Sequence, residues 1–386
     1  MAGRETRRWR LFVFVLTPAL LTGLMLAEIT LRAVRPQLLH WNTAAVWEPA
    51  EDIGWQRRPN LDVVVNTGDG PVRVITDAAR HRVGTAPVSG AEIEILALGD
   101  SFVEALQVEH ELTMTSLLGA RLTDHLGVTA DVVNAGLGGR NPNHYLLAAR
   151  RELDAGSYDL VLVFLFLQND RIARLRDRFP PRRGLGPLAG SNGASAPAPL
   201  GVRDKAHRFL SSTSHLWVFL TNLRLYLSRD RDATFLDSFL VDNDRSDAWH
   251  TTGEALSRIT QLAREKQVET LFVLLPPYWF FDEALLDETL WAYGLARDEI
   301  DPSLAGRRLL EELSSRGLDA IDATASMRVA SEDGVDDLYG RVDKHLGAGG
   351  HRVLADFLFD EVVVRLAVKR DPESMISTGE TPTEMP

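Results

Sequence analysis

The sequence predicts an α/β protein, a three-layer α/β/α sandwich around a mostly parallel sheet, from two observations. From residue 91 onward, short apolar runs rich in Val, Ile, Leu and Phe alternate with stretches of helical periodicity. The apolar runs lie at 93–98, 132–133, 160–167, 270–275 and 320–321, and the helical stretches near 109–126, 143–155, 247–266, 304–316 and 348–367. Strands that are apolar on both faces are typical of a parallel sheet covered by helices on both sides. Such sheets bind ligands beyond the carboxyl ends of their strands.

The composition is that of a folded globular chain and excludes several kinds of site. Of the 386 residues, 45% are hydrophobic and 25% are charged. The formal net charge of -12 argues against a nucleic-acid partner, because binding to phosphates needs a concentrated basic face. The chain has no cysteine, which excludes disulfides, thiolate metal ligands and a cysteine nucleophile. The histidines show no metal-ligand spacing, so we expect neither a metal nor another cofactor.

An uncharged apolar run near the start of the chain predicts a membrane anchor at 1–36. The 17 residues at 11–27 follow a basic segment with arginines at positions 4, 7, 8 and 10. As a helix this run would span about 25 Å, the lower limit for crossing a bilayer. The rival interpretations are a cleaved signal peptide and a buried core helix, although the run continues as apparent helix through residue 31 without an evident small-residue cleavage site. The preceding arginines predict a cytoplasmic N-terminus, with the rest of the chain extracytoplasmic, periplasmic or at the cell surface.

Three further segments complete the predicted organisation around a main domain at 91–367. At 37–90, two short strands flank the turn signal Thr67-Gly68-Asp69-Gly70, which predicts a small β-hairpin module. An insertion at 171–247 opens with six arginines, passes through a flexible Gly/Pro/Ala/Ser stretch at 184–201 and then predicts a helix near 216–227. The arginines form either a solvated face or a surface for lipid phosphates or an anionic polymer. Residues 368–386 are polar and predicted to be disordered.

A serine follows the first strand of the predicted sheet. Ser101 comes directly after the apolar strand that ends in Gly99-Asp100, and a helix follows it. Such a position exposes the hydroxyl at the ligand-binding edge, with its backbone N–H near a helix N-terminus that favours negative charge. Taken alone, the segment is equally consistent with a glycine turn and a helix-capping Asp or Ser.

Three later blocks accompany this serine in a fixed order. They are Asn134 to Gly139, Asn169-Asp170 and Asp343-Lys344-His345. With Gly99-Asp100-Ser101, they resemble the SGNH (GDSL-type) serine hydrolase superfamily over about 91–367, which implies a flavodoxin-like SGNH fold. The resemblance implies that Ser101 is the nucleophile, His345 its base and Asp343 the acid that orients the base. It assigns the oxyanion hole to the Ser101 N–H, the Gly139 N–H and the Asn169 amide, with Asp100 and Asp170 in support.

The chemistry explains why each of these residue types is needed. A serine hydroxyl is a poor nucleophile until a base removes its proton, so His345 must reach Ser101 in the fold. The tetrahedral intermediate carries negative charge on the former carbonyl oxygen, which preorganised donors must meet. All three glycines of the second block could instead serve only as turn residues, and so could Asn169.

Two positions depart from the family pattern. Leu167 stands where a glycine usually precedes the third-block asparagine by two residues, so the pocket is narrowed or the asparagine is shifted. Val342 stands where the acid usually lies, three residues before the histidine. Asp343 is the nearest acid and the preferred one, Asp336 and Asp337 are alternatives, and the third alternative is a histidine base without a close carboxylate.

Two other features lie near the same edge of the predicted sheet. His351 is expected to be a structural or helix-start residue rather than a second base. The aromatic segment Pro276 to Phe281 forms either a pocket wall for an acyl chain or sugar ring, or ordinary core packing.

The leading functional hypothesis is an ester hydrolase, acting on an acetyl or other acyl ester of an envelope glycan or lipid. An O-acetyltransferase that transfers the acyl group to a sugar hydroxyl would use the same nucleophile, base and oxyanion donors. A non-catalytic envelope protein that retains the fold is the third hypothesis. The expected partners are the ester substrate and the membrane.

Overall fold

The computed structural model describes residues 12–39, 43–50, 53–170, 202–227, 236–242 and 246–370. Two strands, β1 (Trp47–Ala50) and β2 (Gly54–Arg57), form a separate antiparallel pair. Eight strands form the central sheet: β3 (Asp62–Asn66), β4 (Pro71–Thr76), β5 (Arg82–Val83), β6 (Ile93–Leu98), β7 (Ala130–Asn134), β8 (Leu160–Phe166), β9 (Glu269–Leu275) and β10 (Ala320–Asp322). Their order across the sheet is β10-β9-β8-β6-β7-β5-β4-β3.

The part of the sheet from β10 to β7 is parallel, which confirms the predicted α/β fold with a mostly parallel sheet. Strand β8 is buried along its whole length, and alternate residues face opposite sides. Val161, Val163 and Leu165 enter one hydrophobic cluster, while Leu160 and Leu162 enter another. A strand covered on both faces explains the continuous apolar run in the sequence.

Helices supply the outer layers. They are α1 (Thr17–Val34), α2 (Ser101–Glu104), α3 (Met114–Leu126), α4 (Pro142–Ala155), α5 (Val202–Thr213), α6 (His215–Leu227), α7 (Ser246–Glu265), α8 (Glu283–Tyr293), α9 (Leu304–Ser315), α10 (Thr324–Glu332) and α11 (Ala348–Arg370). Helices α4, α7 and α9 pack on one face of the sheet, and α3, α10 and α11 pack on the other.

Most predicted helices and strands are confirmed to within a few residues, with one helix beginning late. The helix predicted from 109 begins at Met114, after a short 3-10 turn at His110–Leu112. Thr113 separates the two because its backbone is extended and its hydroxyl accepts a hydrogen bond from the Ser116 N–H, an N-cap. Helices α5, α8 and α10 were not predicted from the sequence.

The predicted N-terminal hairpin is confirmed and is continuous with the main sheet. Strands β3 and β4 pair antiparallel from Asp62 opposite Ile75 to Asn66 opposite Pro71. Strand β5 joins β4 to β7 through antiparallel pairing. Residues on both sides of the predicted boundary at 90/91 therefore contribute to one sheet. The division into a module and a domain stays a prediction.

The N-terminal apolar run is helical from Phe12 onward, and Phe14–Val34 is long and apolar enough to cross a membrane, with none of this segment buried. Helix α6 matches the helix predicted near 216–227. The six arginines after Asn169 and the stretch at 184–201 lie outside the described residues. Helix α11 continues to Arg370, so the predicted tail at 368–386 begins in helix, and the remainder lies outside the described residues.

Candidate active site

Ser101 lies at the first position of a single helical turn beyond the carboxyl end of β6. Asp100 caps this turn, because its Oδ1 accepts a hydrogen bond from the Phe102 N–H at 2.9 Å. Ala105 ends the turn in the left-handed region, with φ 55°. The strand, the cap and the short helix together put the Ser101 N–H and hydroxyl at a helix N-terminus.

Ser101, His345 and Asp343 form one hydrogen-bonded chain. His345 Nε2 lies 2.7 Å from Ser101 Oγ, and His345 Nδ1 lies 2.8 Å from Asp343 Oδ1. A carboxylate only accepts hydrogen bonds, so the Nδ1–H donates to Asp343 and the Nε2 lone pair accepts the serine hydroxyl. The structure thus brings together the predicted nucleophile, base and orienting acid.

A turn at Lys344 allows Asp343 to reach the ring of His345, although only one residue separates the two in the sequence. Lys344, between them, has φ 67°, in the left-handed region, and the Asp343 carboxylate reaches the ring. Of the two alternative acids, Asp337 accepts the Ala348 N–H at 2.9 Å at the start of α11, and Asp336 is exposed. The Val342 departure therefore leaves a carboxylate beside His345.

The electrostatics of this pair favour opposite charges. Burial raises the pKa of Asp343, but hydrogen bonds from His345, Thr67 and Gln107 outweigh burial and hold that pKa below its ordinary value. Burial lowers the pKa of His345, yet the hydrogen bond and charge of Asp343 outweigh it, so the net shift is upward. An ionised Asp343 therefore stabilises a proton on the ring.

Residues of the N-terminal hairpin and of the segment after α2 form hydrogen bonds with the carboxylate and the backbone of Asp343. Gln107 Nε2 donates to Asp343 Oδ2 at 2.6 Å, and the Thr67 hydroxyl bonds the same carboxylate. Asp69 accepts the backbone N–H of Val342 at 2.7 Å and of Asp343 at 2.8 Å. Sequence reasoning identified 67–70 only as a turn. Nothing in its residue pattern indicates the loop against which the turn packs.

Asn169 is oriented by Asp100 rather than left as a free turn residue. Its Nδ2 donates to Asp100 Oδ2 at 3.1 Å, which uses one of the two amide hydrogens. Only the nitrogen can face a carboxylate, so this contact also fixes which end of the amide is which. Among the described residues, no partner is seen for the second amide hydrogen. Burial raises the pKa of Asp100.

Asp170 stabilises the turn that carries Asn169. Its Oδ2 accepts the Phe166 N–H at 2.6 Å, and its Oδ1 accepts the Tyr145 hydroxyl at 2.7 Å. The residue is 3% exposed, and burial together with the nearby Asp100 charge raises the pKa of Asp170 well above its ordinary value. Both contacts tie Asp170 to the base of this turn, and its supporting role stays a prediction.

The glycine loop of the second block packs against the short helix that begins at Ser101. A Cβ at Gly138 would lie 3.6 Å from Ser101 Cβ, and the Gly138 N–H donates to Glu104 Oε2 at 2.7 Å. Gly139 has φ 75°, which glycine adopts without strain. Within the described part of the chain, no hydrogen bond engages the Gly139 N–H or the Ser101 N–H.

A buried ion pair supports this glycine loop, and sequence reasoning missed it. Glu104 accepts Trp47 Nε1 at 2.7 Å and lies 3.9 Å from Arg57 Nε. Both charged side chains are at most 2% exposed. Arg57 also donates to the Gly136 carbonyl, so β2 contacts the loop directly. Trp47 and Arg57 belong to the two-stranded β1–β2 pair, which a sequence pattern cannot place in space.

Leu167, the other departure from the family pattern, points into the core. It is 3% exposed, belongs to the cluster formed with α9, and would lie 3.6 Å from a Cβ at Gly306. Its side chain thus fills a layer of the sandwich. Its N–H pairs with the Leu275 carbonyl at 3.0 Å, so it continues β8.

His351 and the aromatic segment are mainly structural. His351 Nδ1 accepts the Met114 N–H at 3.2 Å, and burial lowers the pKa of His351 to about 3. Trp279 is 1% exposed and packs edge-on against Phe239 in the core. Tyr278, by contrast, is half-buried beside the loop at 341–345 that carries Asp343 and His345, called the site loop below, with Lys344 Nζ 5.4 Å from its ring centre. Among the described residues, no group of three or more His, Asp or Glu could hold a metal ion.

No family model and no curated protein matches the chain. Solved structures similar to it include a lipolytic G-D-S-L family member from Veillonella parvula, at 13% identity and TM-score 0.36, covering 69% of this chain and 97% of that one. The acetyl xylan esterase AlAXEase has 13% identity and TM-score 0.38, covering 70% of this chain and 100% of that one. A lipase/acylhydrolase from Enterococcus faecalis has 13% identity and TM-score 0.37, covering 71% and 96%. The α/β fold itself follows from the sheet and helices described above.

Proposed function

We propose that the protein is a serine hydrolase that cleaves a carboxylic ester through an acyl-serine intermediate on Ser101. The observation that carries this proposal is the 2.7 Å contact between His345 Nε2 and Ser101 Oγ, with Asp343 on the other ring nitrogen. A ring protonated on Nδ1 has its Nε2 lone pair directed at the hydroxyl, as a general base requires.

In the proposed reaction, Ser101 Oγ bonds to the ester carbonyl carbon while its proton passes to His345 Nε2. The bond to the alcohol oxygen then breaks, and the departing alcohol takes the proton from Nε2. A water molecule attacks the acyl-serine with His345 again as base, which releases the carboxylic acid and restores the Ser101 hydroxyl. Asp343 stays ionised and holds the ring in one tautomer throughout.

The oxyanion hole in this proposal consists of the Ser101 N–H, the Gly139 N–H and the second amide hydrogen of Asn169. The first two make no other hydrogen bond in the described residues, and Asp100 holds the Asn169 amide in place. The Gly138 N–H is occupied by Glu104, which favours Gly139 over its neighbour as the donor. Removing one such donor costs about 3 to 4 kcal/mol of transition-state stabilisation.

We further propose that α1 is an uncleaved anchor, that the hydrolase part is extracytoplasmic, and that the substrate is an acyl ester of an envelope glycan or lipid. The support for the anchor is the exposed apolar helix Phe14–Val34 after a basic start. A periplasm-reporting fusion after residue 40 should be active, and the full-length chain should stay in the membrane fraction at its uncleaved mass. A cytoplasmic signal from the fusion would overturn the topology.

The proposed activity is tested with the full-length protein in detergent on acetyl, longer acyl and acetylated-sugar esters. We expect turnover of at least one class, and loss of that turnover in Ser101→Ala. Ser89→Ala, which alters an exposed serine, is the matched control and should keep full activity. Absence of turnover by the wild-type chain on every class would favour a non-catalytic protein. Transfer of the acyl group to an added sugar, with little free acid formed, would favour an acyltransferase.

A further inference from the structure

The segment that leaves the apolar helix packs beside the loop that carries Asp343 and His345. Residues 36–39 are half-buried, and a Cβ at Gly68 would lie 2.6 Å from Leu38 Cδ1 and 3.0 Å from Val342 Cγ1. Leu38 and Val342 therefore both lie against the hairpin tip at Gly68. From the end of the helix at Val34 to Leu38, four residues of chain reach at most about 14 Å.

A second attachment joins the end of the helix to the side of the sheet where the site lies. Arg35 Nη2 donates to Glu288 Oε1 of α8 at 2.7 Å. Helix α8 follows the aromatic segment Pro276 to Phe281, which comes directly after β9. Tyr278 of that segment lies beside Lys344 of the site loop. An exposed ion pair of this kind contributes little free energy. Its value is that it shows which side of the domain the helix meets.

A third attachment lies deeper along the helix. Glu28 directly follows the uncharged run and accepts the N–H groups of His215 at 3.0 Å and Leu216 at 2.8 Å, at the start of α6. Arg32 donates to the Thr213 carbonyl at 2.8 Å, at the end of α5. Charged groups in or next to a spanning segment are tolerated when they are paired.

This third attachment brings the α5–α6 hairpin to the level of the membrane interface. The hairpin carries apolar side chains that the protein leaves uncovered: Phe209 is 66% exposed and Leu220 is 48% exposed. Trp217 lies between them, half-buried, and aromatic residues are typical of the interface between lipid and water. The occupant of this surface that fits its chemistry and its position beside α1 is the lipid bilayer itself.

We propose that these three attachments hold the Ser101–His345 site facing the bilayer surface, and that its ester is carried by a membrane lipid. This inference rests on the proposed hydrolase function and on the uncleaved anchor. The attachments lie at three successive positions along the chain, at Glu28, Arg35 and Leu38, so they fix the tilt of the domain relative to α1. A single flexible tether would leave that tilt free. A substrate confined to the same bilayer then meets the site at a high effective concentration, whereas a soluble glycan gains nothing from this arrangement.

The substrate class is tested in vesicles of phosphatidylcholine and phosphatidylglycerol that contain the full-length protein. A phosphatidylcholine with a self-quenched fluorogenic acyl ester is placed either in the same vesicles or in separate ones. We expect hydrolysis on the order of 100-fold faster in the same vesicles. Water-soluble 4-nitrophenyl acetate should be hydrolysed equally in both arrangements.

Variants of the attachments link this preference to orientation. The double variant Glu28→Gln, Arg35→Ala should reduce the same-vesicle preference by roughly tenfold or more, through loss of effective concentration, while turnover of the acetate ester is unchanged. Glu283→Ala, which removes an 89% exposed carboxylate from the same helix as Glu288, is the matched control and should keep the preference.

The orientation has a direct readout because the chain has no cysteine. A fluorophore on Arg341→Cys, beside the site loop, should be quenched several-fold more by headgroup-nitroxide lipids than one on Ser89→Cys, before β6. Equal quenching at the two positions, or equal lipid-ester hydrolysis in the same and separate vesicles, overturns this inference while leaving the hydrolase intact. If the wild-type protein neither hydrolyses the acetate ester nor reacts at Ser101 with a serine-directed covalent probe, the proposed hydrolase function is overturned, and this inference, which rests on that function, falls with it.

Discussion

Asp69 of the N-terminal hairpin holds the backbone of Asp343, with 2.8 Å between Asp69 Oδ2 and the Asp343 N–H. Its other carboxylate oxygen accepts the Val342 N–H at 2.7 Å. Hydrogen bonds to an ionised acceptor are stronger than neutral ones, so one side chain restrains two consecutive peptide groups of the site loop. The hairpin, which precedes the predicted hydrolase domain in sequence, thereby restrains the backbone that carries Asp343.

Removing this restraint should impair the chemical step more than substrate binding. We expect Asp69→Ala to lower kcat by roughly 10- to 100-fold, because a displacement of about 1 Å in the base costs that much, with KM little changed. Asp69→Asn, which keeps one acceptor, should recover part of the loss. Steady-state kinetics on a soluble ester provide the measurement, with Asp62→Ala on the same hairpin as control. A normal kcat for Asp69→Ala would show that the hairpin does not position the loop.

Asp343 and Asn169 should differ in how much their removal costs. Asp343→Asn holds the His345 ring in the wrong tautomer and should reduce kcat by about 10,000-fold. Asn169→Ala removes one oxyanion donor and should reduce kcat by roughly 100- to 1000-fold, with little change in KM. If Asp343→Asn stays nearly active while Asp336→Asn or Asp337→Asn does not, the orienting acid lies upstream of the site loop.

Activity should fall toward acid pH with a midpoint above the ordinary histidine value. Only neutral His345 can act as base, and its pKa lies above 6.5 because Asp343 outweighs burial. The rate should therefore be lost as pH drops through a value higher than 6.5. In Asp343→Asn the Asp343 charge, the main opponent of burial, is gone, so the pKa of His345 and the midpoint of the residual activity should move downward. A pH-rate profile that is flat from about pH 5 to 8 would argue against a histidine base.

Glu104 should matter for stability as well as for the site. Glu104→Ala leaves the Arg57 guanidinium, 2% exposed, without its carboxylate partner. Breaking a buried pair from one side lowers the free energy of unfolding by about 3 to 5 kcal/mol. Denaturant unfolding of the full-length chain measures this loss. Glu92→Ala, which removes an exposed carboxylate near the start of β6, should change the free energy of unfolding by no more than about 0.5 kcal/mol.

The alternation of buried strands and helices was readable from the sequence because it depends on local periodicity. Strand β6 was predicted with its observed bounds, and β8 and β9 within one residue, since strands buried on both faces are continuously apolar. The antiparallel strand β5 has two residues and carries Arg82, so it leaves no such pattern. Helix α8 was also missed, although Asp282 caps it through the Ala284 and Leu285 N–H groups.

The residues that meet at the candidate site were likewise predictable only in part. Ser101, Asp343 and His345 lie in ordered blocks whose chemistry indicates a common site, and the structure brings them together. Asp69 contacts Val342, 273 residues later in the sequence, and Glu104 contacts Gly138, 34 residues later. Long-range packing of this kind depends on where the N-terminal strands join the sheet, and that is not encoded in any single local pattern.

The central claim is that Ser101 is a nucleophile activated by His345, and covalent labelling tests it most directly. The full-length protein is treated with a fluorophosphonate, and the adduct is located by peptide mass spectrometry. We expect a single adduct on Ser101, absent in Ser101→Ala and formed far more slowly in His345→Ala. An adduct on a different serine, or no adduct on a folded wild-type protein, would contradict the account.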